Sequence, residues 1–500
     1  MKYVIGIDLG TSAVKAILID QSGNMVMETS AAYPLIQEKT GYSEQDPEDW
    51  IKQTKKVLKR VTRQFTGNVE DIEGVSFSGQ MHGLVMLDEN NQVLRNAILW
   101  NDTRTKSQCD HITKLLGDKI IEITKNKVLE GFTLPKILWV KENEPQIYEK
   151  LRVFLLPKDY VRYRMTGKIH TDYSDAAGTS LLHIEEKKWS KEICDLFHID
   201  ESICPPLVES HSFVGTILPE FADKVGLSQN TKVFAGGADN ACGAVGAGIL
   251  STNYQLSSIG TSGVILAYEE SIDEKADGKV HFFNHAKSDA FYSMGVTLSA
   301  GLSLSWFKNN FFKDTSFPKM IDGIKDIPIG SDGLLFAPFL VGERTPYSDA
   351  FIRGSFIGVS ALHTKTHFVR AVMEGITFSL NESIHLLREK GKEIGTIVSI
   401  GGGAKNDLWL QMQADIFHTR VVSLKSEQGP GLGAALIAAY GCKWFATLEE
   451  GAEKCIQIKS EFHPIEENVQ KYKQLFNIYQ TVYDHTKKIS HQLLEFRDSE

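Results

Sequence analysis

Five hundred residues exceed what one hydrophobic core organises, so two or three domains are expected. With 42% apolar and 23% charged residues the composition is globular, and no Ser-, Pro- or Gln-rich tract marks a disordered region. The 54 Lys and Arg against 63 Asp and Glu leave a net charge of −9, which argues against nucleic acid or an anionic membrane as main partner.

Residues 1–20 alternate β-branched and small residues around Gly10-Thr11-Ser12, which predicts strand, tight turn, strand. Gln21-Ser22-Gly23-Asn24 then turns the chain into a third strand, Met25–Ala32. Asp8 interrupts any leader-like apolar region, and no uncharged apolar run reaches bilayer length. Six scattered cysteines without a C-x-x-C pair suit reduced thiols, so a cytoplasmic protein is expected. Asp46-Pro47-Glu48-Asp49 has the acidic cap and early Pro of a helix start. The basic run that follows (Lys52, Lys55, Lys56, Lys59, Arg60, Arg63) lies opposite Trp50, Val57, Val61 and Phe65, as on the wet face of an amphipathic helix.

Further along, the strand-like Val75-Ser76-Phe77-Ser78 leads into Gly79-Gln80-Met81-His82-Gly83, and Trp100, Asn101 and Asp102 offer the aromatic and polar groups that sugar sites use. A lone His is more often structural, so His82 stays open at this point. Lys232-Val233-Phe234-Ala235-Gly236-Gly237-Ala238-Asp239-Asn240 reads as a strand ending in glycines and an acid, where α/β sites collect. Asp239 is the candidate general base and Asn240 a holder of a neighbouring hydroxyl; a plain helix cap is the alternative for Asp239. Residues 254–270 then repeat the first hairpin around Gly260-Thr261-Ser262, at an offset of half the chain. That points to two duplicated α/β domains, 1–250 and 251–500, with a cleft between them.

Gly401-Gly402-Gly403 and Asn406 follow a strand and could floor a flat base. Gly429-Pro430-Gly431-Leu432-Gly433-Ala434 superficially fits a dinucleotide turn, but Lys425-Ser426-Glu427-Gln428 separate it from its strand, so close helix packing is the expectation. From residue 465 a terminal helix is predicted, with Tyr472, Leu475, Ile478 and Val482 as its apolar stripe. The chain has neither the G-x-x-x-x-G-K-[ST] of a P-loop nor the H-R-D of a protein kinase. Two matched Gly-Thr-Ser turns supply another phosphate grip, through successive N–H groups and hydroxyls. Asp8, at the end of the first strand, is the candidate metal ligand for a nucleotide-bound Mg²⁺, with an Asp bonding its own turn as the alternative.

Together these segments resemble the FGGY carbohydrate kinases nearly end to end. One family signature spans Gly131-Phe132-Thr133-Leu134-Pro135-Lys136-Ile137-Leu138-Trp139-Val140-Lys141-Glu142-Asn143. The other opens at Gly354-Ser355-Phe356-Ile357-Gly358-Val359 and closes at His367-Phe368 and Ala371-Val372-Met373-Glu374. The resemblance implies two ribonuclease-H-like (actin-type ATPase) domains holding ATP and Mg²⁺ between them, with the sugar deeper in the cleft. It implies Asp239 and Asp8 as catalytic residues. Met81, His82, Trp100, Asp102, Asp239 and Asn240 would bind sugar. Gly10, Thr11, Ser12, Gly260, Thr261, Ser262, Gly401, Gly402, Gly403 and Asn406 would bind nucleotide. Gln80-Met81-His82-Gly83 with Trp100-Asn101-Asp102 and Ala238-Asp239-Asn240 implies, by the same resemblance, the small ketose D-xylulose as acceptor, phosphorylated at its terminal hydroxyl. Another ketose or polyol, or an actin-like ATPase switch, are the alternatives, and a homodimer is left open.

Overall fold

The computed structural model describes residues 1–426 and 429–499. Alternation over the first residues does build a hairpin. Strand β1 (Tyr3–Leu9) turns at Gly10-Thr11-Ser12 into antiparallel β2 (Ala13–Asp20), and β3 (Met25–Ala32) adds antiparallel to β2. Helix α1 (Pro47–Gln64) begins at the expected cap, where the Asp46 carboxylate accepts from the Glu48 N–H. It buries Trp50, Ile51, Val57, Leu58 and Val61 against the sheet and leaves Lys52, Lys56, Lys59, Arg60 and Arg63 outside. Strand β4 (Ile72–Gly79) pairs parallel with β1. After helices α2 (Thr133–Asn143) and α3 (Pro157–Thr166) come β5 (Phe213–Thr216) and β6 (Lys232–Phe234). Strand β6 lies parallel to β4, and the short β7 (Gly237–Ala238) runs along the end of β4 into α4 (Asp239–Gly246).

The second half repeats this plan. Strands β8 (Tyr254–Ile259) and β9 (Gly263–Glu269) form the second hairpin, followed by β10 (His281–Asn284), β11 (Phe291–Thr297) and α5 (Gly301–Phe311). Helix α6 (Lys365–Glu389) is core along most of its length. Strand β12 (Thr396–Gly401), α7 (Asp407–Phe417), β13 (Val421–Leu424), α8 (Gly429–Gly441) and β14 (Ile458–Phe462) complete it. The first sheet runs β3-β2-β1-β4-β6-β5 and the second β11-β9-β8-β12-β13-β14, with β10 at its edge. Both follow the same series of pairings: antiparallel, antiparallel, parallel, parallel, antiparallel. The half-chain repeat is therefore a repeat of topology.

Helices α4 and α8 follow corresponding strands of the two halves and pack on each other, with α8 also lying on β1 and β4. Glycines set that approach. A β-carbon at Gly433 would collide with the Cys242 carbonyl, one at Gly246 with the Gly429 carbonyl, and one at Gly6 with the Gly431 carbonyl. Close packing is thus what the glycines from 429 to 433 do; Glu427 and Gln428 before them lie outside the described residues. Around this seam one apolar core joins β1 and β2 residues Val4, Ile17 and Ile19 to Leu256, Phe282 and Val422 of the second sheet.

The C-terminal segment forms two helices rather than one, α9 (Glu466–Tyr479) and α10 (Val482–Asp498). Its buried stripe is Val469, Tyr472, Phe476 and Tyr479, while Ile478 is exposed. The rings of Phe476 and Tyr479 pack on Phe378 of α6, which fixes the rotation of α9.

Candidate active site

Each Gly-Thr-Ser turn has its carbonyls pinned backward. In the first, the Gly10 carbonyl accepts from the Tyr33 hydroxyl, Thr11 O from Gln45 Nε2 at 2.7 Å, and Ser12 O from the Tyr33 N–H at 3.2 Å. In the second, the first turn of α5 supplies the donors: Gly301 N–H to Gly260 O at 2.8 Å and Leu302 N–H to Thr261 O at 3.0 Å. The N–H groups of residues 11, 12, 261 and 262 bond no described residue. Turns that spend their carbonyls behind them and present free amides in front are built for an anion. The Thr11 hydroxyl accepts from the Trp100 indole at 2.9 Å, so Trp100 braces the first turn.

Gly401 has φ +78°, and a β-carbon there would press on the Ile259 carbonyl; Gly403 lies against the Ile259 side chain. The three-glycine run therefore lies against the last residue before the second turn. Asn406 caps α7, its Oδ1 accepting from the Trp409 N–H at 3.1 Å.

Asp8 stands opposite Lys15 and Ser78 on neighbouring strands, and the Gly431 backbone of α8 approaches it. Burial pushes its carboxyl above the usual range against the pull of Lys15. Asp239 opens α4, and its Oδ1 accepts from both the N–H (2.7 Å) and the side-chain amide (3.0 Å) of Asn240. Burial and then the like charge of Asp8 push it up to about 7. A carboxylate poised there can accept a proton near neutral pH.

Met81 and His82 follow β4. The Asn240 amide also donates to Met81 Sδ at 3.7 Å, tying the two segments together. His82 has φ +68°, and its Nδ1 lies 2.6 Å from the Gly178 carbonyl. A carbonyl only accepts, so Nδ1 carries the proton. Burial, with the Lys136 charge, holds the ring down to about 3 and so keeps it neutral. Its Nε2 is then an acceptor for a hydroxyl. The first signature forms the cradle of this histidine: Phe132 stacks on it at 4.5 Å, while Thr133 Oγ1 (3.1 Å) and Lys136 Nζ (2.8 Å) donate to its carbonyl.

Asp102 is placed otherwise than expected. It is fully buried and accepts from Arg104 Nε (2.9 Å), Arg104 Nη2 (2.6 Å) and the Ser43 N–H (2.6 Å), so its oxygens are engaged away from a ligand. Three groups of the second half bear on His82 or Asp239 without having been singled out in the sequence. Phe283 lies 6.4 Å from the His82 ring. The buried Tyr292 hydroxyl has no hydrogen-bond partner, and Asp239 raises its pKa after burial does. The Arg344 guanidinium is half-buried, bonds no described residue, and its charge reaches His82 and His281. Only the tertiary fold brings these to one place.

Two duplicated α/β halves around a paired-carboxylate, free-amide site define an actin-type phosphotransferase fold. Residues 3–246 match the model of the FGGY family of carbohydrate kinases, N-terminal domain, and residues 256–442 match its C-terminal domain. The chain belongs to that family. It is 62% identical over 497 residues to the xylulose kinase of Bacillus subtilis (strain 168), covering 99% of this chain and 100% of the relative. Ligand-bound xylulose kinase from Lactobacillus acidophilus superposes with a TM-score of 0.92 at 28% identity, covering 97% of this chain and 99% of that one. Gluconate kinase from the same organism gives 0.92 at 29% identity, with 97% and 98% covered.

Proposed function

We propose that this chain transfers the γ-phosphoryl group of ATP to the terminal hydroxyl of D-xylulose, forming D-xylulose 5-phosphate. The observation that carries this reading is Asp239, held near 7 beside Asp8 and joined through Asn240 to the Met81–His82 pocket. Asp239 accepts the O5 proton as the oxygen attacks phosphorus, Asn240 and the Nε2 of His82 hold neighbouring hydroxyls, and the sugar lies against Met81 and Phe132. The free amides of both Gly-Thr-Ser turns receive phosphate oxygens. Gly401, Gly402, Gly403 and the backbone leading to Asn406 lie where the nucleoside would rest. Trp100 acts through Thr11.

The donor set fits Mg²⁺ brought in with ATP. That ion takes one or two carboxylates and completes its shell with phosphate oxygens and water. Asp8 offers such a carboxylate with Asp239 nearby, and no cluster of three or more His, Cys, Asp or Glu able to hold a metal alone occurs among the described residues. Asp8 would hold the ion, which when bound neutralises charge on the phosphates.

No helix among the described residues is long and apolar enough to cross a membrane. A cytoplasmic location agrees with ATP as donor and with six unpaired cysteines.

One observation favours a second reading, an aldonate acceptor such as gluconate: the Arg344 guanidinium makes no hydrogen bond or ion pair with a described residue and its charge acts on His82, which would suit a carboxylate. ADP release against xylulose, ribulose, glycerol, gluconate and rhamnulose tests both. The highest kcat/KM is expected with xylulose, and a preference for gluconate would replace the first reading with the second.

A further inference from the structure

One group of fully buried charges in the first half touches neither proposed substrate site. Lys158, Asp159 and Arg162 of α3 have no exposed surface, nor do Asp172 and Asp175, which meet them. Lys158 Nζ lies 2.7 Å from Asp159 Oδ1, 2.7 Å from Asp172 Oδ1 and 3.1 Å from Asp175 Oδ2, and Arg162 shares Asp159 Oδ1 at 2.8 Å. Desolvating such a group offsets most of its Coulomb attraction, and a well-packed apolar cluster would hold the fold at least as well. Stability alone is therefore a poor reason for it.

What the cluster reaches is more specific. Arg162 Nη1 donates to the Ala235 carbonyl at 2.6 Å. Ser174 Oγ accepts from the Ala238 N–H at 3.0 Å and donates to Asp172 Oδ2 at 2.5 Å. Both bonds fall on the short segment that ends at Asp239. Lys158 packs beneath Gly79, where a β-carbon would lie 2.6 Å from its Cβ, so the same cluster backs the end of β4 from which Met81 and His82 follow. Ser210 Oγ donates to the same Asp172 oxygen at 2.8 Å, but its hydroxyl makes no bond to the Asp239 segment.

We infer that the Lys158–Asp159–Arg162–Asp172 cluster, acting through Ser174 and Arg162, is a positioning device that fixes residues 235–239 relative to the Met81–His82 loop. It rests on the reading of Asp239 as proton acceptor. Ser174 and Arg162 are positioning residues: they touch no substrate and act on phosphoryl transfer only through where Asp239 stands.

Ser174→Ala removes one hydroxyl and leaves every charge in place, which makes it the direct test. Sugar phosphorylation is expected to fall about tenfold, the scale on which a misplaced base acts, with KM for ATP within about twofold of wild type. ATP hydrolysis by water needs no aligned sugar and should persist, so ADP formed per sugar phosphate rises. A smaller folded fraction would lower both reactions together and leave that ratio alone; an unchanged ratio overturns the inference. Arg162→Lys, which keeps a cation for Asp159 but shortens the reach to Ala235, should raise the ratio too. Ser210→Ala should not, and an equal rise there would also overturn the inference, since general loosening of the cluster would then suffice. Asp239→Asn in the same assay separates the two levels. If it abolishes sugar transfer while Ser174→Ala changes nothing, only the positioning role fails; if it retains turnover, the reading of Asp239 fails first.

Discussion

Asp239 is held where two demands oppose each other. Burial and the facing Asp8 favour its protonated form, yet the chemistry needs the anion. Its proton must leave before it can serve as base, so kcat/KM for the sugar should fall as pH drops through about 7; an acid limb near the ordinary carboxylate value would remove Asp239 from that role. The same shift acts on stability. A carboxyl whose folded value is raised stabilises the fold at low pH, and that contribution is lost as pH rises towards 7 and the group ionises. Asp239→Asn should therefore cut turnover by on the order of 10² while raising the melting temperature at pH 8 more than at pH 5. Equal melting shifts at both pH values would count against the burial argument. Asp239 was legible in the sequence because a strand ending in Gly-Gly-Ala-Asp is a local signal. Arg344 and Tyr292 were not, since nothing near them in the chain announces that the second half brings their influence to His82 and Asp239.

At the scale of elements, local rules worked where the deciding neighbour is local. The Asp46 cap, the hairpin repeat and the exposed basic face of α1 all followed from short-range spacing. They do not reach α3, whose charged Lys158, Asp159 and Arg162 lie fully buried because their partners at 172 and 175 come from another segment. In the C-terminal segment Tyr472 and Val482 are buried as expected, but the chain breaks into two helices between them, and Phe476 and Tyr479, packed on Phe378, take the place of the exposed Ile478. Helix α2 shows what a family signature can mean physically: Lys136 spends its ammonium on the His82 and Gly131 carbonyls. Lys136→Met should raise the sugar KM, and so should His82→Ala, with the ATP KM unchanged. An ATP KM that rises in step would mean a general loss of structure.

For the whole molecule, the proposed phosphate turns come one from each half, so on that reading productive geometry requires the halves to meet over bound substrates. Closure that needs the sugar predicts slow ATP hydrolysis without it, as the groups that stabilise transfer are not assembled around the phosphate in the open form. Hydrolysis as fast as sugar-dependent turnover would contradict that requirement.

The glycine seam has a consequence for how the protein is made. Gly6 near the start of the chain packs on Gly431 close to its end, and α8 covers a face of the first sheet that includes Val4 and Ile17. At about 5–20 residues per second, on the order of a minute of synthesis separates the two. Throughout that interval the earliest strands leave the ribosome without the helix that covers them. The first sheet should therefore stay open to proteolysis in a fragment ending at residue 426, and become resistant only once α8 has emerged.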